Sequence, residues 1–416
     1  MESVPLFTNK KEGVATFLVL GILFLCSLGF EYYQYKNLVK HPTKTTRAKV
    51  LNHYTKVSKN GRNYDVFKLK SHEGYRFYTI SWKHKKVMIG QRVSVKFKTN
   101  RIDFKEYLKS FFAQSIYLYP LKTTTKSTFQ KVKSYVKNQH KTKETQEIFS
   151  ALFFSSVISK VTRDKIQKLG ISHLIAISGF HLGLLSMILF LLLTPLYKFF
   201  QDRYAPYRNR TADLSIVIFI ALFFYMYLID FSPSFLRSFV MAVFGFFLFS
   251  RHIKIVSFMT LLLSVCFILA LFPRLLFSIA FWFSASGVFY IFLFLKYFAT
   301  LPKAWIFILL NIWVYVAMLP IVHYVFPVFT PLQLLSPPLS MLFTLFYPVE
   351  LLLHAMAHGG FLDKEIIYLL DLKTHFYEII TPLWFLILYL LLSFLGIFYK
   401  RFALMTILFA LTIFIV

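Results

Sequence analysis

Acid and cysteine are what this chain has least of. Of its 416 residues only 18 are Asp or Glu, against 47 Lys or Arg, a net charge of +29. Residues 31–170 hold 31 of the basic and 8 of the acidic side chains, so +23 of that excess lies in one third of the chain. A concentration of this kind looks for a polyanion, either nucleic acid or anionic lipid headgroups, although a lysine-rich proteome would leave the same bias. The two cysteines, Cys26 and Cys266, both sit inside apolar stretches as small fillers, and no disulfide or metal framework follows from them. Hydrolytic motifs are missing too. There is no HxHxDH cluster, no P-loop and no GxSxG elbow. Glu350, His354 and His358 share a helix face at four-residue spacing, but HAMAH lacks the glutamate of HExxH. No catalytic residue, metal or cofactor is expected.

What is present is apolar. The chain is 57% hydrophobic with a mean hydropathy of +0.59, and runs near the length of a bilayer crossing recur from residue 171 onward. The expected fold is an α-helical polytopic membrane protein with a small extracytoplasmic β-barrel domain. Residues 1–35 form an anchor, because the apolar stretch 14–30 follows Lys10 and Lys11 and has no small-x-small cleavage site behind it. Those lysines favour a cytoplasmic N-terminus, which puts the next segment outside.

Residues 36–102 read as short β-runs, TTRAKVLNHYT, YDVFKLK, YRFYTIS and QRVSVKFKT, parted by KNGRN, SHEG and MIG. In RVSVKFK, Val93, Val95 and Phe97 share one face, while Lys96 and Lys98 share the other with Arg92 and Ser94. Rings interleave with cations. Tyr54, Tyr64, Tyr75, Phe77, Tyr78 and Trp82 stand among Lys68, Lys70, Arg76, Lys83, Lys85 and Lys86. Bases stack on rings while phosphates meet charges, so Tyr54, Tyr75 and Phe77 with these lysines and Arg76 are candidate contacts for a single strand. The alternative for any one ring is barrel filling.

Residues 103–170 link the two parts: 103–119 and 144–159 are expected as interfacial or packing helices, joined by a soluble Lys/Thr-rich run over 122–143. From 171 to 416 the spans alternate with basic loops. Pro331, Pro337, Pro338 and Pro348 predict a re-entrant or divided helix over 328–358. The stretch ISHLIAISGFHLGLLSM, 171–187, carries His173, Ser178, Gly179, His181 and Gly183 into an apolar run, with a helix break expected at Ser178-Gly179 and close helix contact at Gly179-x3-Gly183. Polar groups at that depth need a partner or a water-filled path, so the stretch is either a kinked, tightly packed helix or the lining of a transport path. Arg237, one turn into the span after Pro233, needs an anion: Asp230 seven residues earlier, or a phosphate in transit. Ser284-Ala285-Ser286-Gly287 either lets two helices approach or leaves room for a substrate chain.

HLIAISGFHLGLL resembles the signature of the ComEC-type competence proteins, the inner-membrane channel for transforming DNA. PSFLR at 233–237, FSASG at 283–287 and MLPIVHYVFPVFTPLQLLS at 318–336 follow in the family's order, and VMIGQRVSVKFK resembles the last strand of its oligonucleotide-binding (OB-like) domain. The likeness spans residues 45–350. It implies a channel in the bacterial cytoplasmic membrane that admits single-stranded DNA. Outside, a periplasmic duplex-binding protein would deliver DNA; inside, an ATP-driven motor or single-strand-binding proteins would pull on it. Homo-oligomerisation is possible on the same grounds. The matching positions are His173, Ser178, Gly179, His181, Pro233, Ser234, Arg237, Ser284 and Gly287, and Gly183 and Ser286 join them as candidate lining. The family's metallo-β-lactamase-like domain has no counterpart before Val416, so nuclease activity is not carried over. Its Asn-rich proline segment reads SPPLSML here. The rival reading is an envelope scaffold, or a transporter of another anionic polymer, whose basic domain docks on membrane lipids.

Overall fold

The computed structural model describes residues 6, 7, 9–58, 61–82, 90–121, 128–229, 231, 233–251, 253 and 256–414. Its elements in chain order are α1 (Lys10–Val39), β1 (Thr43–Val57), β2 (Asn63–Ser71), β3 (Arg76–Ser81), β4 (Arg92–Lys98), α2 (Phe104–Lys109), β5 (Phe111–Phe112), β6 (Ser115–Pro120), α3 (Thr128–Asn138), α4 (Lys143–Phe154), α5 (Lys160–Lys168) and α6 (Ser172–Ile175). There follow α7 (Gly179–Tyr204), α8 (Arg210–Leu228), α9 (Pro233–Ser250), α10 (Phe258–Leu271), α11 (Ile279–Phe298), α12 (Lys303–Val325), β7 (Val328–Phe329), α13 (Ser336–Ala355), α14 (Asp363–Asp371), β8 (Tyr377–Glu378), α15 (Leu383–Leu395) and α16 (Lys400–Leu411). Two compact units emerge: Phe7–Gln130 with Val265–Ile279, and the remainder of the chain.

The first unit is built on a six-stranded sheet of order β5-β3-β2-β1-β4-β6. β5 lies parallel to β3 and every other pair is antiparallel. Period-2 alternation sends Phe67 and Leu69 of β2, Phe77 of β3, and Val93, Val95 and Phe97 of β4 to one face, where they are fully buried with Leu38 of α1, Tyr107 of α2 and Phe111. The strands fall where the alternating runs predict. The barrel does not close: among the described residues no ladder joins the edge strands β5 and β6. Those strands come from 103–119, where helix is expected. Only Phe104–Lys109 is helical, and the aromatic, β-branched residues after it pair with the sheet instead. The 122–143 run likewise contains α3.

Arg274, in the 3-10 turn Pro273–Phe277, fastens that turn to the sheet unit. Its guanidinium donates to the Glu31 carboxylate at 2.7 Å, the Tyr107 hydroxyl at 2.8 Å and the Gly74 carbonyl at 3.0 Å, and lies 4.8 Å over the Tyr107 ring.

The second unit is helical. Among the described residues six helices are long and apolar enough to cross a membrane: Lys10–Val39, Gly179–Tyr204, Arg210–Leu228, Ile279–Phe298, Lys303–Val325 and Pro331–Ala355. Phe235–Ser250, Phe258–Leu271 and Leu383–Leu395 are apolar but shorter. The divided helix expected over 328–358 is instead one 3-10 turn, Pro331–Leu335, running into the unbroken α13. Pro337 and Pro338 fall in the first turn, where a missing N–H costs nothing, and Pro348 alone is accommodated in the interior.

Arg274→Ala removes a charged donor from three acceptors, and we expect it to destabilise the sheet unit by about 2–3 kcal/mol. Thermal unfolding of the detergent-solubilised full chain, followed through the sheet's far-UV signal, checks this, with Lys105→Ala as the surface control.

Candidate nucleic-acid interface and polar seam

The face of the sheet opposite the core is decided by one irregularity. In β1, Val50 pairs with Leu69 and points into the core, but the register then slips between Val50 and Asn52, so that Tyr54 pairs with Val66. This bulge turns Tyr54 and Lys56 outward, where unbroken alternation would have buried them. They join Tyr64 and Val66 of β2, Tyr78 and Ile80 of β3, and Phe112 of β5 around a shallow groove of about 560 Å³, whose lining Glu106, Lys109 and Ser110 complete. Trp82 leans on Tyr64 at 5.3 Å, and the Lys68 ammonium stands 5.1 Å over Tyr78.

Beside the groove, on the same face, Arg76 pairs with Lys70, Lys70 with Lys49, and Lys49 with Arg92. Four basic side chains thus stand in register across β3, β2, β1 and β4. Neighbours directly opposite on a sheet are about 5 Å apart, and like charges so placed destabilise it.

Of the residues expected to contact a strand, Tyr54, Lys68, Lys70, Arg76, Lys96 and Lys98 lie on this face or its margin. Tyr75 and Phe77 do not: both are buried in the core, and burial pushes the Tyr75 phenol up to about 12. Lys83, Lys85 and Lys86 lie outside the described residues. The sequence reading missed Lys49 and Arg92, because only the strand register shows that they continue the row.

In the helical unit, the 171–187 stretch breaks where expected. α6 ends at Ile175, Ser178 is extended, and α7 starts at Gly179. Ser178 and His181 form a capping box, with the Ser178 N–H donating to His181 Nδ1 at 3.2 Å. His181 is fully buried, edge-on to Tyr347 at 5.0 Å and Phe343 at 5.5 Å. Its ring is a cap inside an aromatic cage rather than an exposed wall. His173 lies at the surface and bridges the Gly170 carbonyl (3.1 Å) and the Ser340 hydroxyl (3.2 Å).

Around His173 runs a polar seam. The Gln333 amide donates to the Gln167 and Val328 carbonyls, Thr330 donates to the Lys168 carbonyl, and Ser336 to that of Gly170. Gly170 holds φ +66, and a Cβ there would stand 3.3 Å from Gln333.

A second contact leads away from the break. A Cβ on Gly179 would meet Ser238 of α9 at 3.2 Å, whereas one on Gly183 would meet nothing within 4 Å. The close helix contact expected of Gly179-x3-Gly183 is therefore made by Gly179 alone. Next to Ser238, Arg237 is 5% exposed, with its guanidinium 5.9 Å over Phe281 of α11. Asp230, its expected partner, and the side chains of Pro233 and Ser234 lie outside the described residues. One turn beyond Phe281, Ser284 is exposed, Ser286 and Gly287 are half-buried, and Gly287 faces open space.

A multi-pass membrane protein, with one unit of apolar helices and one unit built on a basic, aromatic-faced sheet, is the class these features define. A family model described as competence protein matches residues 154–403. That is more than half of the chain, and the chain belongs to this family, of the ComEC type, whose role lies in DNA uptake during competence. No curated protein and no solved structure matches it.

Gly170→Ala forces a left-handed backbone and crowds Gln333, and is expected to cost about 1–2 kcal/mol. Gly183→Ala, in open space on a helix, should be neutral or slightly stabilising. Thermal midpoints of the two solubilised variants, compared with the parent chain, test the assignment of tight and open glycines.

Proposed function

We propose that the chain is the membrane channel through which one strand of incoming DNA enters the cytoplasm, and that the outward face of the sheet is where the strand is first held. The observation that carries this reading is the row Arg76, Lys70, Lys49, Arg92 beside the Tyr54–Tyr64–Tyr78–Phe112 groove. Four cations in register give the phosphates of a polyanion a line of charge to follow, and flat rings next to that row give bases a place to stack. A duplex keeps its bases inside and cannot use the rings. The surface therefore suits a single strand.

From there the strand passes into the helical unit. The residues about the break at 176–178, with His173, Ser178, Arg237 and Ser284, would line its way, Arg237 meeting phosphates that pass it. On this reading the sheet unit lies outside the cytoplasmic membrane and is OB-like in role. A duplex-binding protein on that side supplies DNA, and an ATP-driven motor or single-strand-binding proteins inside draw it through. The chain itself supplies passage and no chemistry.

Binding of a fluorescent oligothymidylate to the full chain in detergent tests the first step. Tyr64→Ala and Tyr78→Ala should each weaken it by roughly 5- to 150-fold, since a stacked base contributes about 1–3 kcal/mol. Lys49→Gln should reduce the dependence of log affinity on log salt by about 0.7. Tyr75→Phe, in the core, should change neither. Affinity that ignores salt, or that anionic liposomes abolish and oligonucleotide does not restore, would favour lipid docking by a scaffold instead. In a strain lacking the gene, labelled duplex should collect in protected form outside the cytoplasmic membrane, and its unchanged entry into the cytosol would refute the channel.

A further inference from the structure

Four titratable side chains from three distant segments meet inside the helical unit in a single line. Asp363, the first residue of α14, holds His140 Nδ1 at 2.8 Å. His140 Nε2 faces His354 Nε2 at 3.0 Å. His354 Nδ1 reaches the Glu350 carbonyl at 2.6 Å, with the Glu350 carboxylate 3.3 Å away. All four residues are buried: His140 is 3% exposed, His354 5%, Asp363 6% and Glu350 0%. They are strung out rather than converging, and among the described residues no group of three or more such ligands could hold a metal.

The surroundings are built to keep this line in place. Phe149 of α4 stacks on His140 at 4.3 Å, and Phe153 stands edge-on to His354 at 5.0 Å. The second Asp363 oxygen accepts from the Lys141 N–H and the Thr145 hydroxyl. Gln139 donates to the His354 carbonyl and accepts from the Gly359 N–H. A Cβ on Gly359 would stand 2.5 Å from His354 Nε2, and one on Gly360 would stand 2.4 Å from the Gln139 carbonyl. The turn over 356–363 is thereby laid flat against the histidines.

Counting hydrogens along the line gives the inference. His354 Nδ1 must carry one to bond a carbonyl. One hydrogen must lie between the two Nε2 atoms, and one between His140 Nδ1 and Asp363. Two neutral rings supply two hydrogens, and the line needs three. We propose that the quartet Asp363–His140–His354–Glu350 is a binding site for a single proton, and that this proton completes the clasp holding the 356–363 turn and the start of α14 to the end of α13.

Without the proton, two nitrogen lone pairs face each other at 3.0 Å, or the His354 ring turns a lone pair on the Glu350 carbonyl. With a second proton, both Nε2 atoms carry hydrogen and collide. Burial lowers the proton affinity of His140 and the Asp363 hydrogen bond raises it, so what retains the single proton is the Nε2–Nε2 hydrogen bond that only the protonated pair can make. Among the described residues the charged or titratable groups facing His140 are Asp363, His354 and Glu350, while α4 presents Thr145, Gln146 and rings. Release of the proton frees the clasped end of α13, the same helix whose first turns carry Ser336 and Ser340 in the seam around His173. The inference holds whatever substance the helical unit passes.

Sign follows from the count. The clasped form keeps one proton, and the opened form, with separate histidines, keeps almost none above about pH 7.5. Clasping is therefore favoured near neutrality and lost as pH rises. Hydrogen exchange of amides 356–371 in the solubilised full chain, corrected for the chemical rate, should show protection about tenfold or more lower at about pH 8.5 than at about pH 6.5, a factor matching one lost hydrogen bond. Asp363→Asn is the discriminating variant. Its amide donates to His140 Nδ1 without titrating, and its oxygen still accepts from Lys141 and Thr145, so protection should stay high at both pH values. Asp363→Ala should be poorly protected at both. Wild-type protection that is level over this range overturns the proposal regardless of the variants, and so does an Asn variant that behaves as the Ala variant does.

Discussion

A backbone carbonyl without a partner is costly in any apolar interior, and in lipid nothing but the protein can supply one. That constraint orders the helical unit. α5 ends at Lys168, and the turn after it reaches back from the Gly170 N–H to the Gln167 carbonyl without meeting all the hydrogen-bonding capacity of the last turn. Gln333, Thr330 and Ser336, from a segment more than 160 residues later in the chain, bond the carbonyls of Gln167, Lys168 and Gly170. The break before α7 is settled locally, by reciprocal bonds between Ser178 and His181. Once these ends are satisfied, the chain can be irregular at 169–178 without losing its place, and irregular backbone is where a polar path through apolar helices can be opened.

The sheet unit meets the opposite difficulty. Its core needs no explanation beyond alternation, with Phe67, Leu69, Phe77 and Phe97 sealed from water. Its outer face sets cation beside cation across four strands, while the acid Asp65 stands near Thr55 and His53 on the other side of β2. The basic excess of this region is thus a local fact about one surface as well as a feature of composition.

Much of this was legible in the sequence, for physical reasons that also mark its limits. The strands of 43–98 were readable because a half-buried sheet imposes period two, and the break at Ser178-Gly179 because glycine after serine stops a helix in only a few ways. The prolines of 331–348 misled, because their effect depends on position within the turn, and two of them fall where no N–H is needed. Tyr75 and Phe77 look like Tyr64 and Tyr78 until register assigns them a face. Nothing in one dimension links His140 to Asp363, 223 residues apart, and HAMAH drew attention to His358, which is exposed, rather than to His140.

The bulge after Val50 lets β1 carry one residue more than its partner without exchanging its faces. Loss of a single codon at Leu51 would remove the bulge yet leave Tyr54 on Val66 and Lys56 on Tyr64, both still outward. Strict pairing of the full-length strand would do the opposite, turning Tyr54 and Lys56 inward, driving an ammonium toward the aromatic core and emptying one wall of the groove. The residue at 51 is thus a spacer that the faces can lose, whereas a slip of the ladder is what they cannot absorb.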